Sequence, residues 1–134
     1  MRRSLSLMFR VGSGLAVWAF ALVVVARPTV AAAGDDAAAG QALFKSKCAA
    51  CHAVDANRVG PKLQGVVGRP VASAAGYTYS PALKKLGGAW TPARIDQFLS
   101  GPQKMAPGSK MSLQVTDAKQ RQQLGAYLQS VSSK

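Results

Sequence analysis

The chain contains no Glu, one His and only two Cys in 134 residues, and each scarcity closes a class of chemistry. Five Asp against 17 Lys and Arg give a net charge of +12, a balance that seeks acidic partners. Nucleic acid would satisfy the charge, but no nucleic-acid fold signature accompanies it, and nucleic acid is not expected as a partner. Cys48 and Cys51 are three positions apart, so a disulfide between them would close a tiny loop and stabilise little. A structural zinc needs four protein ligands, and two Cys with His52 fall short. No strand pattern precedes Cys48, so the βαβ setting of a Cys-x-x-Cys redox pair is missing. Aromatic residues make up 7% of the chain, too few large apolar groups for a small domain to fill a core alone.

What is present begins with a leader. Arg2, Arg3 and Arg10 form a basic head, residues 11–26 carry no charge, Arg27-Pro28 breaks the apolar run, and Ala31-Ala32-Ala33 supplies small residues. That order predicts a secretory signal peptide over residues 1–33, removed at or near Ala33, and a periplasmic destination. The competing reading is a retained membrane anchor, for which the run is a little short of the roughly 18 residues a span needs. No stable membrane insertion is expected. Arg2-Arg3 hints at twin-arginine export, but nothing else of that motif follows. Arg2, Arg3, Arg10 and Arg27 leave with the signal, so thirteen basic residues remain against five Asp, a balance of +8 over residues 34–134.

Residues 34–134 read as one domain without internal repeats. Residues 35–40 are Ala-rich and read as a loose lead-in. Helical spacing over residues 40–50 places Leu43, Phe44 and Cys48 on one side. Gly60-Pro61, Gly65, Gly68 and Pro70 mark the following stretch as loop. Ser80-Pro81 and Thr91-Pro92 each supply a cap followed by proline at the first helical position, starting helices to about residues 85 and 99. Gly101-Pro102 and Pro107-Gly108 mark stops and turns. Thr116-Asp117 caps a last helix in which Leu124, Tyr127, Leu128 and Val131 share a face. The expectation is a small all-α domain of about four short helices and long loops. Long ordered loops in so small a domain point to something being wrapped.

Residues 48–52 read Cys-Ala-Ala-Cys-His, the attachment motif for c-type haem. Two thiols one helical step apart can add across the two vinyl groups of one porphyrin, and the next residue, His52, then lies beneath the iron. One covalent haem c is the expected cofactor. His52 is the only histidine, so a second imidazole cannot complete the coordination. Beyond the leader the thioether donors are Met105 and Met111, both expected in a loop rich in Pro and Gly. A His/Met iron is typical of electron-transfer proteins, because the soft sulfur favours the ferrous state.

On these residues the chain resembles the class I c-type cytochromes, and most of all the branch of mitochondrial cytochrome c and bacterial cytochrome c2. The resemblance covers residues 40–131. Gly40 and Phe44 match the family's first helix, and Leu124 and Tyr127 its last, which cross at the small glycine. Gly60-Pro61-Lys62-Leu63 resembles the loop whose Pro lies over the proximal His and whose carbonyl accepts the ring N–H. Gly68-Arg69, Tyr79 and Trp90 fall at the family's spacing for residues around the haem propionates. Pro107-Gly108-Ser109-Lys110-Met111 resembles the segment bearing the axial Met. The resemblance therefore implies His52 and Met111 as iron ligands, with Pro61, Arg69, Tyr79 and Trp90 around the cofactor.

Two departures stand out. Many relatives have Asn where this chain has Leu83, and Tyr where it has Phe98. Of the polar cluster beside the Met, only Ser109 remains. The implied activity is outer-sphere transfer of single electrons by a monomer, with no catalytic acid or base. The implied partners are acidic redox proteins such as a cytochrome bc1 complex and a terminal oxidase or reaction centre. A ring of lysines is implied around the exposed haem edge. Lys47 and Lys110 flank the ligand segments, and Lys45, Lys62, Lys84, Lys85 and Lys104 are further candidates. A haem enzyme or gas binder is the alternative, and would need an open iron site.

Overall fold

Alanine favours helix more than any other residue, and the run from residue 31 uses this. A computed structural model describes residues 31–133, and the predicted signal peptide lies, but for its last three residues, outside them. Helix α1 spans Ala31–Leu43 and passes directly into a π-helical turn, Phe44–Cys48. The expected lead-in at residues 35–40 is therefore helix, and the predicted cleavage point falls in its first turns. Two partners from the far end of the chain anchor it: Asp36 meets Lys119 Nζ at 2.7 Å and Gln122 Nε2 at 3.1 Å.

The next three helices are short and start at prolines. Helix α2 is Pro81–Leu86, with Ser80 Oγ accepting from Leu83 N–H (3.3 Å). Helix α3 is Pro92–Ser100, with Thr91 Oγ1 accepting from Arg94 N–H (3.2 Å). A single turn, α4, covers Pro102–Met105. Met105 thus lies in a helical turn rather than in the expected loop. Pro102 both stops α3, lacking an N–H to continue its ladder, and serves as the first residue of the next turn. Helix α5, Ala118–Ser132, starts at Asp117, whose Oδ1 accepts from Gln120 N–H (3.0 Å).

The described residues form an all-α structure; their one strand-like pairing is an isolated bridge between Pro70 and Ala89. None of their helices is long and apolar enough to cross a membrane. Helices α1 and α5 cross at Gly40. A Cβ there would lie 2.6 Å from the carbonyl carbon of Gln123 and 2.9 Å from Tyr127 Cβ, so only glycine fits. Around the crossing Phe44 and Tyr127 pack at 5.4 Å between ring centroids, beside Leu124 and Leu128. Trp90, Ile95, Phe98 and Leu99 extend this core along α3, with Trp90 and Phe98 at 5.0 Å. Leu63, Val67, Leu83, Leu86, Met105 and Met111 pack against it while only partly buried.

Candidate functional site: a haem-attachment turn and its cradle

The crossing at Gly40 fixes α1, and α1 delivers Cys48. The π turn places Ala49 N–H on Phe44 carbonyl at 2.9 Å, which widens the helix just before the motif, a distortion frequent at functional positions. The chain then closes again on Cys48: its carbonyl accepts from Cys51 N–H (3.0 Å) and His52 N–H (2.8 Å). Both thiols are free; Cys48 is half-buried and Cys51 exposed. Burial pushes the Cys48 thiol up, while Lys47 beside it pulls it down and Cys51 adds a smaller upward push.

Pro61 is brought to His52 by main-chain bonds between two loop segments. Gly60 N–H donates to Cys51 carbonyl (2.8 Å), Leu63 N–H to Ala53 (3.1 Å) and Gln64 N–H to Val54 (2.7 Å). His52 Nδ1 then lies 2.8 Å from Pro61 carbonyl oxygen. A carbonyl only accepts, so Nδ1 carries the proton, and in the neutral ring Nε2 keeps its lone pair. Gly60 makes the approach possible. A Cβ at residue 60 would lie 2.6 Å from both ring nitrogens of His52.

Arg69 and Trp90 are brought together. Gly68 N–H donates to Trp90 carbonyl (2.8 Å) and Trp90 N–H to Arg69 carbonyl (2.9 Å). The guanidinium is tethered to the Pro61 loop, donating to Lys62 and Gln64 carbonyls at 3.0 Å each. Its Nε–H is the one buried side-chain polar atom among the described residues that lacks a partner. Tyr79 is buried, and its phenol oxygen accepts from Ala74 N–H (3.1 Å), which leaves the O–H proton free to donate.

Met111 and Met105 are both half-buried against the core, so burial does not distinguish them. Met105 also lines a groove of about 600 Å³ between α2 and the turn after α4, with Pro81, Leu86 and Pro107; the groove contains no residue of the Cys48–His52 motif. What sets Met111 apart is the bracing of its main chain. Its carbonyl accepts from Gln103 Nε2 (2.7 Å) and from Ser109 Oγ (3.1 Å).

Of the candidate lysines, Lys45, Lys47, Lys84, Lys85, Lys104 and Lys110 are exposed and Lys62 is half-buried. None forms an ion pair among the described residues, whose two ion pairs are Lys119–Asp36 and Arg121–Asp96. Lys110 keeps its charge but is tethered. Its Nζ donates to Thr78 carbonyl (2.7 Å) and lies 5.4 Å from the Tyr77 ring centroid. Two residues escaped the sequence reading. Asn57 accepts from Lys62 N–H and donates to Ala75 carbonyl, both at 2.9 Å, joining two loops. Gln103 braces the Met111 segment. A polar side chain in a loop-rich stretch is the only sequence signal either offers.

The donor set fits haem c. Two thiols stand at the attachment spacing, the adjacent imidazole has a free Nε2, Gly60 leaves the ring its space, and a buried unpaired Arg69 Nε–H suits a carboxylate. The Cytochrome c family model matches residues 37–132. Cytochrome c2 from Agrobacterium tumefaciens is 45% identical over 100 residues, covering 69% of this chain and 89% of that protein. The cytochrome c-type cyt cy of Rhodobacter capsulatus is 44% identical over 98 residues; 72% of this chain is covered, but the match spans only about half (49%) of that relative. Among solved structures, cytochrome cH from Methylobacterium extorquens superposes with a TM-score of 0.68 at 44% identity, covering 71% of this chain and 98% of that one. The chain belongs to the cytochrome c family, whose members carry covalently bound haem c and act as electron carriers rather than enzymes.

Proposed function

We propose that this protein is an exported, soluble single-electron carrier in which Cys48 and Cys51 attach one haem and His52 and Met111 are the axial ligands. The observation that carries the reading is the His52 Nδ1–Pro61 carbonyl contact of 2.8 Å within the Cys48–His52 turn. It fixes the tautomer that presents Nε2 to a metal, and such a bond raises ligand basicity and holds the ring's orientation. The iron supplies the one-electron couple.

The chain's own residues do the rest. Pro61 orients His52. Arg69 Nε–H and the Tyr79 O–H would donate to the haem propionates, with Trp90 beside Arg69. Leu83 and Phe98 belong to the same apolar cluster as Met111 and add no polar atom to it. Low polarity there disfavours the extra charge of the ferric state, and a thioether does the same. The exposed lysines steer an acidic partner, of which a cytochrome bc1 complex and a terminal oxidase or reaction centre are the proposed kinds. The leader composition supports a periplasmic location, which N-terminal sequencing of the mature protein would test.

A redox titration followed in the visible spectrum is the direct test. The ferric protein should show a sulfur-to-iron absorption band that Met111→Ala abolishes and Met105→Ala leaves in place. Loss of the band in Met105→Ala instead would reverse the ligand assignment.

A further inference from the structure

The segment carrying Met111 leaves α4 through Ala106 and Pro107 and has little regular structure of its own. Ser109 N–H closes one turn on Ala106 carbonyl at 2.9 Å. Gly108 adopts a φ of +85°, in the left-handed region that glycine enters without steric cost. Four further polar atoms of the segment converge on one side chain. Gln103 Oε1 accepts from Gly108 N–H at 3.1 Å. Gln103 Nε2 lies 2.9 Å from Ser109 carbonyl, 3.1 Å from Ser109 Oγ and 2.7 Å from Met111 carbonyl. A primary amide has one accepting oxygen and two donor hydrogens, which the segment's one N–H and its converging oxygens match. A carboxylate would not match them, because it only accepts. Lysine would not either, because it only donates.

We infer that Gln103 is a positioning residue. It holds the main chain at residues 108–111 in the conformation that packs Met111 against the apolar cluster, without itself reaching the iron. The inference rests on the proposal that Met111 is the axial ligand. An external ligand such as imidazole can bind the iron only when this segment opens, so its apparent affinity scales with the open fraction. Each hydrogen bond removed multiplies that fraction by roughly two- to tenfold. Sequence spacing does not expose the role, because Gln103 acts on residues five to eight positions ahead across a turn.

The test uses the haem-bearing protein and two variants. Gln103→Met keeps the length and shape of the side chain and removes every hydrogen bond. Gln103→Glu keeps an acceptor for Gly108 but sets a carboxylate against the Ser109 and Met111 carbonyls. Imidazole binding to the ferric protein, read in the visible spectrum, should tighten by at least about tenfold in Gln103→Met, which loses several bonds at once, and at least as much in Gln103→Glu, and hydrogen exchange at Gly108 N–H should accelerate. Imidazole affinity within twofold of the parent in both variants would overturn the inference, even if thermal stability fell. Met111→Ala separates the two levels. If it loses the sulfur-to-iron band while the Gln103 variants bind imidazole like the parent, the ligand assignment stands and the positioning role is wrong. If it keeps the band, the assignment itself fails and the positioning role with it.

Discussion

Replacing Gly40 with Ala adds one methyl group at the point where α1 and α5 touch. The new carbon would lie 2.6 Å from the Gln123 carbonyl carbon, 2.9 Å from Tyr127 Cβ and closer still to the Gln123 carbonyl oxygen. These are main-chain atoms and a Cβ, which no rotamer change can move. Carbon atoms settle at 3.5–4.0 Å, so the helices must part by about 1 Å at the crossing. That separation loosens the Phe44–Tyr127 contact and the packing of Leu124, which is only 1% exposed. Overpacking against atoms this fixed costs about 3 kcal/mol, the upper end of the usual range. Alanine returns about 1 kcal/mol as a better helix former than glycine. The net loss is about 2 kcal/mol, or roughly 8–16 °C in Tm for a domain near 100 residues. Thermal unfolding of the haem-bearing protein by circular dichroism measures this. Gly125→Ala is the matched control: Gly125 lies inside α5 with nothing within 4 Å of its added carbon. That change should raise stability by about 0.5–1 kcal/mol. A Gly40→Ala protein as stable as the parent would refute the close crossing.

Gly60→Ala would push a carbon onto the His52 ring, break the Pro61 contact and lower stability by about 2 kcal/mol; an unchanged guanidinium midpoint would show that the ring has room to spare. Bimolecular electron transfer to an acidic partner should slow steeply as the Debye length falls from about 30 Å at 0.01 M salt to about 10 Å at 0.1 M, and a flat rate over that range argues against a lysine docking face. The double change Leu83→Asn, Phe98→Tyr gives the Met111 side groups that can hold a water, which needs two to four polar partners. It should move the alkaline loss of Met ligation to lower pH; a transition that stays put or rises means those apolar residues do not hold the loop.

Local chemistry was legible in the chain. Cys48, Cys51 and His52 declare their cofactor through covalent spacing alone, and Ser80, Thr91 and Asp117 declare helix starts because a cap acts over three residues. Proline and glycine punctuation separated loops from helices for the same reason. The misplaced elements depended on distant partners. The start of α1 is held by Lys119 and Gln122 from the opposite end of the chain; the turn around Met105 is the local exception, started by the same Pro102 that stops α3. Lys110, an exposed charge, is also tied to Thr78 across a separation of 32 residues. Asn57 and Gln103 matter through atoms that only folding brings within hydrogen-bond reach, and Arg69 through a buried Nε–H that folding leaves unpaired. The sequence by itself determined the cofactor and the starts of α2, α3 and α5, because those rest on contacts within a few residues, and it carried the family through motifs spread over residues 40–131. Only the tertiary structure decided which polar groups brace the ligand segments, because a hydrogen bond across a loop leaves no period or spacing in the chain.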